Sequence, residues 1–304
     1  TLPASLALAF HPQLRYALIE RDTGEKYLLA EDLVARVAKE VGWGQVKQLG
    51  AWTGAELAGL KFQLPFLERA LPAVLAEYVT LEQGSGIVHT APGHGAEDFE
   101  TGRKYGLDIY CPVDAAGRFT EGPCAGDTIW DANPKIIELL RQRGHLVRGD
   151  GAIEHSYPHC WRCHQPLLFR ATEQWFIGLE HNRLRERALE EIQKVQWIPA
   201  WGQERISDMV RTRPDWCISR QRLWGVPIPV FYCEKCSEKF LDVPTLRTAV
   251  KYFKREGADA WFAHAAAELL PQGTSCESCG HTGFRQETDI LDVWFDSGST
   301  HAFV

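Results

Sequence analysis

Two short cysteine pairs, Cys233-Glu-Lys-Cys236 and Cys276-Glu-Ser-Cys279, constrain this chain more than any other feature. Each C-x-x-C knuckle presents two soft thiolates on one tight turn. Together they supply the four donors that a closed tetrahedral zinc site requires. The 39 residues between them exceed the needs of a minimal ribbon, so an inserted helix is expected from Val243 to Phe262. With all four positions taken by protein, such a metal is structural and not catalytic. The chain must therefore fold so that two segments far apart in sequence meet at one point.

A third pair, Cys160-Trp-Arg-Cys163, has no partner pair in the 304 residues. It reads as half of a zinc site or as a redox dithiol, although no thioredoxin-like βαβ pattern surrounds it. His155, His159 and His164 are neighbouring candidate ligands or ordinary hydrogen-bonding residues. Cys111, Cys124 and Cys217 read as small buried apolar residues. Paired cysteines in an acidic, Trp-rich chain point to a cytoplasmic protein, not a disulfide framework. No run approaches the roughly 18 uncharged apolar residues of a membrane span, and the N-terminus lacks a basic leader. The net charge of −7 argues against nucleic-acid binding through overall basicity. Arg205, Arg211, Arg213, Arg220 and Arg222 could still form a local basic strip, or simply a solvated face.

Along the chain, 14–22 and 26–30 flank an Asp-Thr-Gly-Glu turn and predict a hairpin. The spacing of 32–42 predicts a helix. A second helix is predicted over 133–144, with Asn133 as N-cap, Pro134 in the first turn, Gly144 beyond the end, and Ile136, Ile137, Leu139 and Leu140 as one buried stripe. The first 150 residues read as a compact α+β or mixed-barrel unit. Past His155 come a knuckle, a strand, a charged helix over 181–196 and a buried strand before Cys233. The segment 289–299 then predicts an apolar strand ending in a polar loop.

The most informative stretch is Gly84-Ser-Gly-Ile-Val-His-Thr-Ala-Pro-Gly-His-Gly-Ala-Glu-Asp98. It reads as glycines, a strand, an Ala-Pro-Gly-His-Gly loop and a helix starting near Ala96. Small residues in the loop permit close approach to its backbone. Asp98 is a helix-dipole partner or an anion that holds a substrate cation. The neighbouring His89, Thr90 and His94 favour a site over a core.

This run, with Arg213-Pro-Asp-Trp-Cys-Ile-Ser-Arg-Gln-Arg-Leu-Trp-Gly225 and Asp289-Ile-Leu-Asp-Val-Trp-Phe-Asp-Ser-Gly-Ser299, resembles bacterial-type isoleucyl-tRNA synthetases, a class I aminoacyl-tRNA synthetase family. The resemblance implies a multidomain fold of α/β and α+β class. A mixed β-barrel-like editing domain would be inserted in a Rossmann-type core, with zinc knuckles. It implies an editing domain over 1–153 with its N-terminal strand truncated, a zinc-knuckle and helical connection over 154–212, and part of the Rossmann-type domain over 213–304, with a zinc-binding insertion at 231–285. The reaction it implies is hydrolysis of valine misattached to isoleucine tRNA. Asp98 would bind the α-ammonium, His89 would limit side-chain size or act as general base, and Thr90 would share the catalytic site. Thr1, Gly93 and His94 would line the editing pocket, and Trp294 the isoleucine pocket of the synthetic site. Thr1-Leu2-Pro3-Ala4 resembles the end of the family's threonine-rich strand. His-Ile-Gly-His and Lys-Met-Ser-Lys-Ser, which serve ATP and Mg in the family, are absent, so the chain is expected to be an internal part of a longer enzyme and not to aminoacylate alone. A monomer is expected, with zinc, isoleucine tRNA, isoleucine and valine as its ligands. A valyl-type segment that clears threonine, and a non-catalytic zinc-knuckle module that binds tRNA, are the alternatives.

Overall fold

The hairpin forms where the turn residues place it. Arg15–Arg21 pairs antiparallel with Lys26–Ala30, and Gly24 takes the positive φ of +84° that the turn requires. In the computed structural model, which describes residues 1–82, 84–149 and 156–304, the chain divides into two units, Thr1–Thr172 and Glu173–Val304.

In the first unit, Val46–Thr53 adds to the other side of Arg15–Arg21, completing a three-stranded antiparallel sheet with a bulge between Leu18 and Ile19. Period-two alternation sends Ala17 and Ile19 to one buried cluster with Leu29, and Tyr16 to another with Phe10 and Leu33. A second sheet runs in the order Lys61–Gln63, Ala70–Leu75, Ala7–Phe10, Val88–Thr90. Its central strand, Ala7–Phe10, is parallel to Ala70–Leu75 and antiparallel to Val88–Thr90. Both sheets are open, so this unit is mixed α/β without a closed barrel among the described residues. The helix Val34–Glu40 follows the hairpin and gives way to Gly42 at φ +70°.

The helix predicted over 133–144 spans Ile129–Gln142 instead. Thr128 is its N-cap, its hydroxyl accepting the Asp131 amide at 3.2 Å. Pro134 therefore sits inside the helix and not at its start. Only part of the expected stripe is buried: Ile136 packs with Ala132, four residues back, whereas Ile137 falls on the solvent side. A single turn separates the buried pair, and a residue one step on rotates about 100° away from them.

In the second unit the short buried strand Phe231–Cys233 lies between Lys239–Phe240 and Phe284–Gln286, antiparallel to both. The spacer does hold a helix, Val243–Glu256, capped by Asp242 accepting the Thr245 amide at 2.8 Å. It packs on fully buried Trp261, whose indole donates to the Glu287 carbonyl oxygen at 2.8 Å. Leu184–Ile192 and Gly202–Thr212 form a helix pair. The segment after Ile290–Leu291 is a helix, Val293–Gly298, and not the expected polar loop. Buried Asp292 caps it by accepting the Trp294 amide at 2.9 Å. No described helix is long and apolar enough to cross a membrane.

Candidate functional site

The strand Val88–Thr90 forms one edge of the four-stranded sheet and sets His89 opposite Leu8. That register brings His89 to the first residues of the chain. Its Nδ1 lies 2.8 Å from the hydroxyl of fully buried Ser5, and its Nε2 lies 3.1 Å from the hydroxyl of Thr1. Burial lowers the His89 pKa from its ordinary value of 6.5, and nearby Asp98 opposes that shift. Burial thus favours the neutral imidazole over the imidazolium.

Asp98 is the third residue of the helix Ala96–Tyr105, whose N-cap, Gly95, offers no side chain. One carboxylate oxygen, Oδ2, accepts the Ala91 amide at 2.8 Å and ties the loop to the helix start. No cationic side chain among the described residues pairs with this half-buried carboxylate. An anion at the positive end of a helix, with no counter-ion among the described residues, can receive an ammonium group.

Thr90 and His94 are buried behind this pair. The His94 Nδ1 lies 3.0 Å from the Phe169 carbonyl oxygen, which can only accept, so Nδ1 carries the proton and Nε2 is left as an acceptor. Neither that Nε2 nor the Thr90 hydroxyl has a hydrogen-bond partner among the described residues. Burial lowers the His94 pKa as well. Gly93 is required sterically, since a Cβ there would lie 2.3 Å from the Tyr110 carbonyl oxygen. Thr1 and His94 form part of the wall of a mainly apolar cavity of about 470 Å³, with Phe119, Trp130, Ile136 and Phe169. His89 and Asp98 do not line that cavity; they stand half-exposed beside it.

In the second unit the four predicted cysteine ligands converge. Cys233 and Cys279 have their sulfurs 3.5 Å apart, as do Cys236 and Cys276, and all four lie within 4.8 Å of one another. Tetrahedral Zn–S bonds of about 2.3 Å place sulfurs about 3.8 Å apart, so the donor set fits such an ion. Burial resists ionisation of Cys233, but the amides of Cys236 and Lys235 and the adjoining thiols bring it down to about 6. For Cys236 the Glu238 amide favours the anion, yet the thiols of Cys279, Cys233 and Cys276, with burial, push it up to about 12. One thiolate in this cluster thus opposes the next, a conflict that a dication removes.

Cys160 and Cys163 sit on a separate turn beside the His159–Pro166 bridge. The amides of Cys163 and Arg162 lower the Cys160 pKa. No third His, Cys, Asp or Glu ligand joins them among the described residues. His159 is engaged with the Tyr157 carbonyl oxygen at 2.8 Å, and His155 lies outside the described residues. Trp294 is 73% exposed at the start of its helix. Arg220 pairs with the Asp292 carboxylate, which also accepts the Trp216 indole at 3.3 Å. Sequence reasoning misses Ser5 and Asp292. A lone serine carries no signal, whereas the Asp before Val-Trp is readable as a helix cap.

The family model for tRNA synthetases class I (I, L, M and V) matches residues 14–304. Isoleucine–tRNA ligase of Carboxydothermus hydrogenoformans is 52% identical over 307 residues, covering 100% of this chain and 32% of its own length. The isoleucine–tRNA ligases of Petrotoga mobilis and Syntrophomonas wolfei are 51% and 50% identical, each with 33% of its length covered. The chain therefore spans about a third of the curated relatives it matches. Among solved structures, GlLeuRS-CP1 overlaps 52% of this chain and 80% of its own at a TM-score of 0.39 and 17% identity, too loose an overlap to fix the fold.

Proposed function

The chain belongs to the tRNA synthetases of class I (I, L, M and V), and on that footing we propose that it is a segment of an isoleucine–tRNA ligase. Its first unit carries the site that hydrolyses valine misattached to isoleucine tRNA. The observation that carries this reading is the half-buried Asp98 carboxylate, which has no cationic side chain paired with it among the described residues and lies near the doubly hydrogen-bonded His89, whose burial favours the neutral ring. Asp98 receives the α-ammonium of the ester, and His89 limits the bulk of the attached side chain. Held in this way, the ester carbonyl meets a positioned water, and no covalent nucleophile is required. Thr90, Gly93, His94 and Thr1 shape the surrounding wall. A size limit is needed because one methylene is too little to reject by binding alone; isoleucine–tRNA ligases are themselves the standard illustration of such a double sieve.

The second unit contributes part of a Rossmann-type core, over 213–304, with Trp294 on the isoleucine side of the synthetic pocket. Cys233, Cys236, Cys276 and Cys279 hold one structural zinc, and Cys160 and Cys163 supply half of another site. ATP and Mg act only in the complete enzyme.

The test is release of valine from valine-charged isoleucine tRNA by this chain. Valine is expected to leave faster than isoleucine does from the cognate ester, and Asp98→Asn should abolish the release. Equal release of both amino acids, or full activity in Asp98→Asn, would overturn the reading.

A further inference from the structure

We propose that Ser5 is the positioning residue that sets the orientation of the His89 ring, and through it the size limit of the pocket. This rests on the editing role of His89 proposed above. The final torsion of a histidine is broad and has no sharp staggered minimum, so the ring plane is set by what its nitrogens bond. Two hydroxyls are available: Thr1 at Nε2, on an exposed residue, and Ser5 at Nδ1, on a residue with 0% exposure.

The Ser5 backbone is anchored on both sides of its side chain. The Ser5 amide donates to the Leu2 carbonyl oxygen at 3.1 Å. The Ser5 carbonyl oxygen accepts the Arg69 guanidinium at 3.1 Å, and the same guanidinium holds the Pro3 carbonyl oxygen at 3.1 Å. Arg69 is itself seated 4.5 Å over the Tyr110 ring. Ser5 thus presents its hydroxyl to Nδ1 from an anchored, fully buried position, whereas Thr1 bonds the other nitrogen from the rim. Removing the Ser5 hydroxyl leaves the imidazole free to turn about its last torsion, and a gate that turns admits a bulkier side chain.

The test compares hydrolysis of valine-charged and isoleucine-charged isoleucine tRNA by the unaltered chain and by Ser5→Ala. The rate on the isoleucine ester relative to the valine ester is expected to rise about tenfold, as befits the loss of one orienting hydrogen bond. General loss of structure would lower both rates together, and that result, like an unchanged ratio, would overturn the proposal. A second measurement is independent of the tRNA assay. Both ring-nitrogen resonances of His89 in nitrogen-labelled chain should shift in Ser5→Ala, since a ring that turns changes the surroundings of Nδ1 and Nε2 together; unmoved imidazole resonances would sink the idea. If the unaltered chain hydrolyses neither ester, the editing reading fails by itself, and the resonances still decide whether Ser5 orients His89.

Discussion

The Oδ2 of Asp98 accepts the amide proton of Ala91 at 2.8 Å, so the carboxylate that closes the loop is the one proposed to receive the substrate ammonium. The two tasks separate by substitution. Asn at position 98 keeps an oxygen for the Ala91 amide but loses the charge; Ala loses both. Asp98→Asn should retain thermal stability close to that of the unaltered chain while losing deacylation. Asp98→Ala should lose deacylation and also about 1 kcal/mol or more of stability, because the Ala91 amide is left without its partner. Melting curves beside deacylation rates decide this, and equal stability of the two variants would refute it.

Metal content provides the second test. The four-sulfur cluster predicts one zinc per chain, and the Cys160–Cys163 turn by itself none. Cys276→Ser should abolish stoichiometric zinc and unfold the module around Trp261, since a structural zinc supplies on the order of 10 kcal/mol of apparent binding free energy. Cys160→Ser should leave the zinc content unchanged. Elemental analysis of the purified chains would read both outcomes, and two zinc ions bound to the isolated chain would contradict the assignment.

Acid and base should act on the two units in opposite senses. Burial lowers the pKa of His89 and His94 below 6.5 in the folded state. Their contribution is therefore complete above 6.5 and is lost as pH falls below it toward the depressed folded values, because the unfolded chain then binds protons the folded one refuses. His264 is the reverse. Its two nitrogens meet Glu256 and Glu268, both at 2.7 Å, and these carboxylates raise its pKa. Its contribution is complete below 6.5 and is lost as pH rises through the raised folded value. Amide exchange followed unit by unit from pH 5 to 8 should show residues near His89 opening in acid and the Glu256–Glu268 region opening toward base. Parallel responses in both regions would refute the assignment.

Helix termini give the fourth prediction. Thr128→Ala removes the cap of Ile129–Gln142 and should cost about 1 kcal/mol. Pro134→Ala should stabilise the same helix by about 1–3 kcal/mol, since an exposed proline inside it removes a hydrogen bond to the Trp130 carbonyl. Denaturant unfolding measures both. If Asn133 were the true cap, Asn133→Ala would cost more than Thr128→Ala.

The hairpin, the loop-to-helix passage after His89 and the meeting of four cysteines are legible because each has a local or chemical signature: a turn glycine, a glycine-rich break, a ligand spacing. The start of the Ile129–Gln142 helix is hidden because Asn133-Pro134 imitates a helix start, while the true cap lies one turn earlier in Thr-Ile-Trp-Asp. The helix at Val293 resembles a loop in sequence because serine and glycine dominate its end, although Asp292 caps it strongly. Ser5 is invisible for another reason. Its role depends on a strand register, and nothing in residues 1–10 announces that they will pair with 88–90.

That pairing has a consequence for how the site comes into being. The strand Ala7–Phe10 meets Ala70–Leu75 on one side and Val88–Thr90 on the other, so Ser5 and His89 touch although they stand 84 positions apart in the chain. Contacts this distant form late, after long loops have closed. The proposed pocket therefore cannot take shape during synthesis until the glycine-rich segment has been made and has docked beside the first strand.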